Sequence, residues 1–287
     1  MGEWRINRQQ RLQDVLDVAP PGTVIRLPVG VFRQKTVIRT PGLTLVGAGQ
    51  AATRIVFDDC ARRMDGVGRP LGTFRSFTLA IVAPGVTLRE LTVANDAGAP
   101  AQNGQQVALS VYGDGFSMAD CALVSTQDTL FLGPLPADLQ QRYADVLPAP
   151  LRRSEALCSR FSNCRIAGSV DFVFGGGQAA FEDCEVVSVS DGRGVGYVAA
   201  PSHDRAQQEG FLFRRCRFTA EAGVLPGSVY LARPWRDHGL AVFEDCTYGP
   251  HIHPRGFDKW GTTDRDRTAR FYETPAVDGR VDWINKG

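Results

Sequence analysis

The segment Phe181-Glu182-Asp183-Cys184-Glu185-Val186 has four counterparts elsewhere in the chain, and together they indicate the fold. Each copy places an aromatic or apolar residue three positions before a cysteine and a strand-forming run after it. The intervals between successive cysteines are 43, 20, 32 and 30 residues. Intervals of about one solenoid coil or more are typical of a parallel β-helix, in which like residues stack from coil to coil. The repeated cysteines are Cys121, Cys164, Cys184, Cys216 and Cys246.

The rest of the chain also has the pattern of strands. Short runs of Val, Ile, Leu and Phe alternate with turn-forming residues, among them 31 Gly and 17 Pro. We therefore predict an all-β fold, a parallel β-helix that forms one domain over residues 1–287. An antiparallel sandwich is the competing fold, but it favours tight hairpins, and Asn103-Gly104 is the one plausible Asn-Gly turn.

One helix is expected near the start of the chain. Leu12, Val15, Leu16 and Ala19 share one helical face, and Pro20-Pro21-Gly22 ends the element. A short amphipathic helix at the end of a β-helix would cover an open sheet edge.

A second departure from the strand pattern is the Pro-rich excursion, at about residues 133–157. It contains Pro134, Pro136, Pro148 and Pro150, and we expect a short helix around Leu139 to Val146. Long loops on rigid scaffolds often shape binding clefts, although the role of this one stays open.

Composition excludes several classes of protein. Lys and Arg number 32 against 31 Asp and Glu, so the net charge of +1 argues against a nucleic-acid partner. No apolar run is long enough to cross a membrane, and the first residues lack a signal core, so we expect a cytoplasmic protein unless a leader was removed. As a separate expectation, the protein is a monomer. Seven cysteines without a Cys-x-x-Cys pair indicate free thiols and no zinc site.

Two aspartates lie in apolar, strand-forming runs. Asp128 belongs to Gln127-Asp128-Thr129-Leu130-Phe131, and Asp171 lies between Gly168 and Gly175. Because burying a carboxylate alone is costly, each needs a partner or a chemical role. Asp128 follows Gln105 by 23 residues and precedes Asp171 by 43, about one coil each once the excursion is discounted. We expect these groups on one outer face, on coils about 4.8 Å apart.

Such a cluster predicts an active site with paired acids. Two close carboxylates do not ionise together easily, so one keeps its proton, while Arg233 favours the charged form of the aspartate that it contacts. The amides of Gln105 and Gln127 suit a developing oxyanion, and Trp235 offers a flat face for a sugar ring. The structural alternative, aspartates that only satisfy turn amides, does not account for Arg233 and both glutamines.

Four segments in this order resemble the pectin methylesterases (pectinesterases). They are Gln105-Gln106-Val107-Ala108-Leu109, Gln127 to Leu130, Gly168 to Gly175, and Leu231 to Trp235. The resemblance runs from about Leu12 to Gly261. It implies a right-handed parallel β-helix that removes methyl groups from methyl-esterified polygalacturonate, a galacturonan or oligogalacturonide substrate, without a metal or organic cofactor.

The resemblance also implies a role for each residue. Asp171 is the expected nucleophile, and Asp128 the acid that protonates departing methanol and then the base that activates water. Gln127, assisted by Gln105, holds the oxyanion, and Arg233 keeps Asp171 ionised. The expected lining of the sugar groove is Trp235, Phe174 and Tyr197.

The chain departs from the family pattern in places that leave substrate preference open. Ala232 stands where a Gly is usual, and Gly176-Gly177 where Asn-Ala is usual. Two other functions remain in view: an inactive pectin-binding homologue, and an acetylesterase or thioesterase on the same scaffold. A pectate lyase is disfavoured because the clustered carboxylates of a calcium site are not evident.

Overall fold

The computed structural model describes residues 2–145, 147, 149 and 157–286, which form a right-handed parallel β-helix with three sheets. Each complete coil passes through the first, the third and then the second sheet. All strand pairings within the sheets of this described part are parallel, so the antiparallel sandwich is excluded there, and the predicted fold is confirmed.

The first sheet has eleven strands among the described residues: β1 (Glu3–Arg5), β2 (Val24–Arg26), β5 (Thr44–Val46), β8 (Thr87–Arg89), β11 (Phe116–Ala119), β14 (Cys158–Ser162), β17 (Gln178–Glu182), β20 (Phe211–Arg214), β23 (Leu240–Glu244), β25 (Arg270–Thr274) and β26 (Asn285–Lys286). The second has seven in the same ranges: β4 (Thr36–Ile38), β7 (Leu79–Ile81), β10 (Leu109–Val111), β13 (Leu130–Leu132), β16 (Val170–Gly175), β19 (Gly196–Pro201) and β22 (Val229–Ala232). The third has eight, again counted over the described chain: β3 (Gly30–Arg33), β6 (Thr53–Phe57), β9 (Thr92–Asn95), β12 (Ala122–Val124), β15 (Arg165–Gly168), β18 (Glu185–Ser188), β21 (Arg217–Ala220) and β24 (Thr247–Tyr248). The helices are α1 (Leu12–Val18), α2 (Pro100–Asn103) and α3 (Ala137–Arg142), with short 3₁₀ turns at Thr73–Arg75 and Arg265–Arg267.

The aromatic residues of the repeat form a column inside the cylinder. Phe161, Phe181, Phe213 and Phe243 are paired in register on four successive strands of the first sheet. Their rings stack with centroids 4.7, 4.7 and 5.0 Å apart. In-register parallel pairing makes each coil repeat the interior residues of the last, which explains the periodicity of the sequence.

The cysteines of the repeat stack one corner further on. Each directly precedes a strand of the third sheet, and the residue before it has a φ of 50 to 56°, from Asp120 to Asp245. That left-handed position turns the chain from the first sheet into the third. Cys121, Cys164, Cys184 and Cys216 are buried and Cys246 is half-buried, all as free thiols, so the predicted interior ladder is confirmed. Burial raises the pKa of the Cys121 thiol to about 12.

Helix α1 covers the open edge at the N-terminal end of the second sheet, as predicted. Leu12 and Leu16 are buried, and the Gln13 amide accepts from the Val37 backbone N–H at 2.8 Å and donates to the Val37 carbonyl at 3.0 Å. Val37 lies in β4, the last strand of that sheet. The helix thus satisfies backbone groups that have no further strand to pair with.

The described part of the Pro-rich excursion contains α3, which confirms a helix there but shifts its bounds. The helix begins at Ala137, directly after Pro136, and ends at Arg142. Asp138 in the first turn and Arg142 in the last turn complement the helix dipole, which favours these ends. Val146, the end predicted from the sequence, lies outside the described residues.

Candidate active site

Asp171 lies in a β-bulge of the second sheet. Strand β16 gains one residue relative to β19 between Val170 and Val173, and Asp171 there has a φ of 50°. Gly168 permits this bend, because a Cβ at that position would lie 2.2 Å from the Cβ of Phe172. Bulges redirect side chains, and this one turns the Asp171 carboxylate outward into a cleft.

Asp128 lies on the neighbouring coil, just before β13, which pairs with β16. Its φ is 65°, and its backbone N–H donates to the Val170 carbonyl at 3.1 Å. Asp128 and Asp171 are 8% and 9% exposed and line the same cleft. The sequence-based expectation that adjacent coils bring the two carboxylates together is therefore met by the fold.

Arg233 follows β22, two strands away from Asp171 across β19. Strands spaced by about 4.8 Å place it roughly 10 Å away, a distance that only a long side chain covers. Its Nε and Nη2 donate to the two Asp171 carboxylate oxygens at 2.8 and 2.7 Å. The guanidinium carbon lies 3.7 Å from the ring centre of Tyr197 and 4.1 Å from that of Trp260. Two rings and a bidentate ion pair thus fix its position.

The two carboxyl groups have different electrostatic surroundings. Burial, together with the charge of Asp171, raises the pKa of Asp128 well above its usual range, against opposing effects of Arg233, Gln127 and Arg193. Burial also raises the pKa of Asp171, but here the hydrogen bonds and charge of Arg233 act directly against it. Of these two carboxyl groups, only Asp171 has a guanidinium partner among the described residues, so Asp128 is the one expected to keep its proton.

The cleft has a volume of about 460 Å³ and lies outside the second sheet. Its aromatic floor is formed by Phe174 and Trp235, whose rings meet edge-on at 5.8 Å, and the fully buried Phe131 packs against Phe174 with ring centres 5.1 Å apart. Phe174 itself is only 3% exposed, so it mainly supports the half-buried Trp235. The floor offers an apolar face beside the polar side chains of the cleft.

Seven of the eight site residues predicted from the sequence line this one cleft, and the eighth is placed differently. Tyr197 lies outside the lining, because its ring packs beneath the Arg233 guanidinium and stacks on Tyr230 at 5.4 Å. It thus holds Arg233 in place. The seven that line the cleft are Gln105, Gln127, Asp128, Asp171, Phe174, Arg233 and Trp235.

Sequence reasoning did not single out several residues of the cleft, although it noted that a loop such as the Pro-rich excursion often shapes one. Trp260 covers Arg233, and the excursion supplies one wall through Asp138, Leu139, Arg142 and Tyr143. The excursion is tied down by an ion pair between Asp138 and Arg236 at 2.9 Å. Residue spacing gives no signal for Trp260 or for the pair of Asp138 and Arg236, because these contacts join distant parts of the chain.

Comparisons with known proteins identify the family of the chain. The model of the pectinesterase family matches residues 7–136 and 154–284, nearly the whole chain. This chain belongs to the pectinesterase family. Pectinesterases are carboxylic ester hydrolases, and this one is an enzyme of that class.

Three relatives illustrate the similarity of this pectinesterase to known members. Pectinesterase 31 of Arabidopsis thaliana is 28% identical over 271 residues, 91% of this chain and 77% of that protein. The pectin methylesterase from carrot has a TM-score of 0.81 at 26% identity, over 97% of this chain and 84% of that one. A pectin methylesterase solved with a hexasaccharide has a TM-score of 0.78 at 26% identity, over 97% and 88% of the two chains.

Two features are absent from the described residues of this pectinesterase. None of their helices has the length and hydropathy needed to cross a bilayer. No group of three or more His, Cys, Asp or Glu side chains among them is placed to hold a metal ion. That the reaction needs no metal or cofactor, and that the protein is a cytoplasmic monomer, remain predictions.

Proposed function

We propose that this pectinesterase removes methyl groups from methyl-esterified galacturonate in pectin or oligogalacturonides, with Asp171 as nucleophile. The observation that carries the proposal is the pair of buried carboxyl groups in one cleft, of which only Asp171 is held by a bidentate arginine. A relative that binds a hexasaccharide supports a sugar chain in the corresponding groove. The ionised member of such a pair is the nucleophile, and the protonated member is the acid.

The first half of the reaction forms an acyl-enzyme. The Asp171 carboxylate attacks the ester carbonyl carbon, and the carbonyl oxygen becomes an oxyanion next to the amides of Gln127 and Gln105. When the carbon–oxygen bond to the methoxy group breaks, Asp128 gives its proton to the departing oxygen. Methanol leaves, and the galacturonyl group stays on Asp171 as an anhydride.

The second half returns the enzyme to its starting state. Asp128, now a carboxylate, takes a proton from water, which attacks the galacturonyl carbonyl. The second tetrahedral intermediate collapses with Asp171 as leaving group. Asp171 returns to its ion pair with Arg233, and Asp128 is again protonated. The product acid gives its carboxyl proton to the solvent and is released as galacturonate.

The test measures methanol release from methyl-esterified oligogalacturonate by the wild-type protein and by Asp171→Asn, Asp171→Ala and Asp128→Asn. We expect each of these variants to lose nearly all turnover. The matched control is Asp183→Asn: Asp183 also has a left-handed φ, 55°, and a bidentate arginine partner, Arg215, but lies exposed on a corner outside the cleft. The control should keep the wild-type rate.

Three results would contradict the proposal. Substantial turnover by Asp171→Ala would show that Asp171 is not the nucleophile. Binding of oligogalacturonate without methanol at any pH would indicate an inactive homologue. Faster cleavage of acetylated sugars or acyl thioesters than of methyl esters would indicate another esterase.

Chain-length preference is a separate prediction. If the protein is cytoplasmic, its substrates are short oligosaccharides, and the excursion that walls one side of the cleft fits that expectation. The test compares turnover numbers on the methyl esters of di- to hexagalacturonate with those on polymeric pectin. A strong preference for the polymer would contradict the prediction of short substrates.

A further inference from the structure

The loop after β18 contains a cation that the reaction described above does not use. Arg193 stands between Gly192 and Gly194, whose φ values of 85 and 75° are left-handed. Two glycines in that conformation fold the loop sharply back, which suits a segment that must present one side chain in a defined direction. Arg193 is not among the residues that line the cleft.

Asp191 anchors Arg193 at three points. One Asp191 oxygen accepts the Arg193 backbone N–H at 3.1 Å, and the other accepts Nε at 2.9 Å and also contacts Nη2. The Asp191 side chain is only 3% exposed. Although burial alone would raise the pKa of Asp191, its hydrogen bonds, chiefly with Arg193, lower it below the usual range. The pair is thus ionised and the guanidinium is held in one orientation.

The remaining nitrogen of Arg193 is directed at the active site. Its Nη1 donates to the Gln127 Oε1 at 2.9 Å. A guanidinium only donates hydrogen bonds, so the amide oxygen of Gln127 must face Arg193 and the amide NH₂ must face the other way. Gln127 lines the cleft beside Asp128, where an oxyanion needs a donor.

We propose that Arg193, held by Asp191, is a positioning residue that sets the orientation of the Gln127 amide for oxyanion stabilisation. The inference rests on the proposed function and deepens it. Without Arg193 the amide is free to turn over, and in half of its orientations the oxygen, which repels a developing negative charge, replaces the NH₂ donor. The contact therefore acts on the transition state, not on binding of the neutral ester.

The kinetic test compares Arg193→Ala, Arg193→Lys and a matched surface control, Arg160→Ala, on methyl-esterified trigalacturonate. Arg160 is exposed on β14 in the first sheet, away from the cleft. Loss of one oxyanion donor costs about 10²–10³ in kcat, so loss of its orientation alone should cost about tenfold, with KM nearly unchanged. The lysine should restore part of the rate, because it still donates to Oε1.

A double-mutant cycle separates this role from a structural one. If Arg193 acts through Gln127, Arg193→Ala should have almost no further effect in the Gln127→Ala background. Full additivity of the two effects would overturn the inference. So would a raised KM with unchanged kcat in Arg193→Ala, since that result would mean that Arg193 binds the substrate directly.

A second readout does not depend on turnover. The side-chain NH₂ signal of Gln127, identified by its absence in Gln127→Ala, should shift in the ¹⁵N–¹H spectrum of substrate-free Arg193→Ala and stay in place in Arg160→Ala. An unmoved signal would overturn the inference that Arg193 orients the Gln127 amide. If the wild-type protein releases no methanol, the proposed function fails, and this spectrum still decides whether Arg193 orients the amide.

Discussion

His203, which follows strand β19 of the second sheet, provides a direct test of the buried polar contacts in this part of the protein. Its Nδ1 accepts the Leu240 backbone N–H at 3.1 Å, so in the neutral ring Nε2 carries the proton and donates to the Gly177 carbonyl at 2.9 Å. The side chain is 1% exposed. Burial lowers the pKa of His203 from 6.5 to about 4. Protonation would place a second donor against the Leu240 N–H and a charge in the interior.

The size and sign of the effect follow from that shift. Because the folded pKa is below the unfolded pKa, the unfolded state binds more protons between about pH 4 and pH 6.5. The contribution of His203 to stability is complete above the unfolded pKa and is lost as the pH falls through this window. The difference between 6.5 and about 4 is about 2.5 units, which corresponds to about 3 kcal/mol over the whole window.

The assay is urea unfolding at about pH 7.5 and about pH 4.5 for the wild type, His203→Gln and His238→Gln. His238 is a suitable control because its ring makes no hydrogen bond to any described residue. Between the two pH values the wild type should lose about 2–3 kcal/mol more free energy of unfolding than His203→Gln, at similar m-values, while His238→Gln should follow the wild type. Parallel losses in the wild type and His203→Gln would refute the reasoning.

Three further predictions concern the core, the thiols and the ion pair. Phe181→Ala should lower the free energy of unfolding by about 3–5 kcal/mol, because the ring is fully buried in the column, and Phe181→Leu should lower it clearly less. Denaturant titration measures both losses. A loss below about 1 kcal/mol for Phe181→Ala would contradict the stacking. In the native protein, one thiol should react fast with Ellman's reagent, that of the exposed Cys158, and Cys158→Ser should abolish this reaction. Several fast-reacting thiols would contradict the buried ladder of cysteines. Arg233→Lys keeps a positive charge but loses the bidentate contact, so the pKa of Asp171 should rise. The acid limb of the profile of kcat/KM against pH should therefore move to higher pH. An unmoved limb would show that Arg233 does not keep Asp171 ionised.

The fold was readable from the sequence because a parallel β-helix repeats its interior. In-register pairing stacks Phe181 between Phe161 and Phe213, so a buried position that requires an apolar side chain recurs once in each of these coils. The aspartates could be recognised for a related reason. Burying a carboxylate in an apolar strand run is costly, so such a residue indicates either a partner or a chemical role. Coil spacing then placed Asp128 next to Asp171 without reference to any contact.

Apart from the pairing of Arg233 with Asp171, which the family resemblance implied, the tertiary structure alone decided which groups meet across coils. Arg233 reaches Asp171 over an intervening strand, Tyr197 packs under that arginine and does not line the cleft, and Arg193 meets Gln127 across 66 residues of sequence. Spacing in the sequence counts residues per coil, but it carries no information on how far a long side chain extends or in which direction a glycine-flanked loop turns. The repeat therefore determined the scaffold, whereas side-chain reach and loop geometry decided which carboxyl Arg233 contacts and which atom of the Gln127 amide faces Arg193.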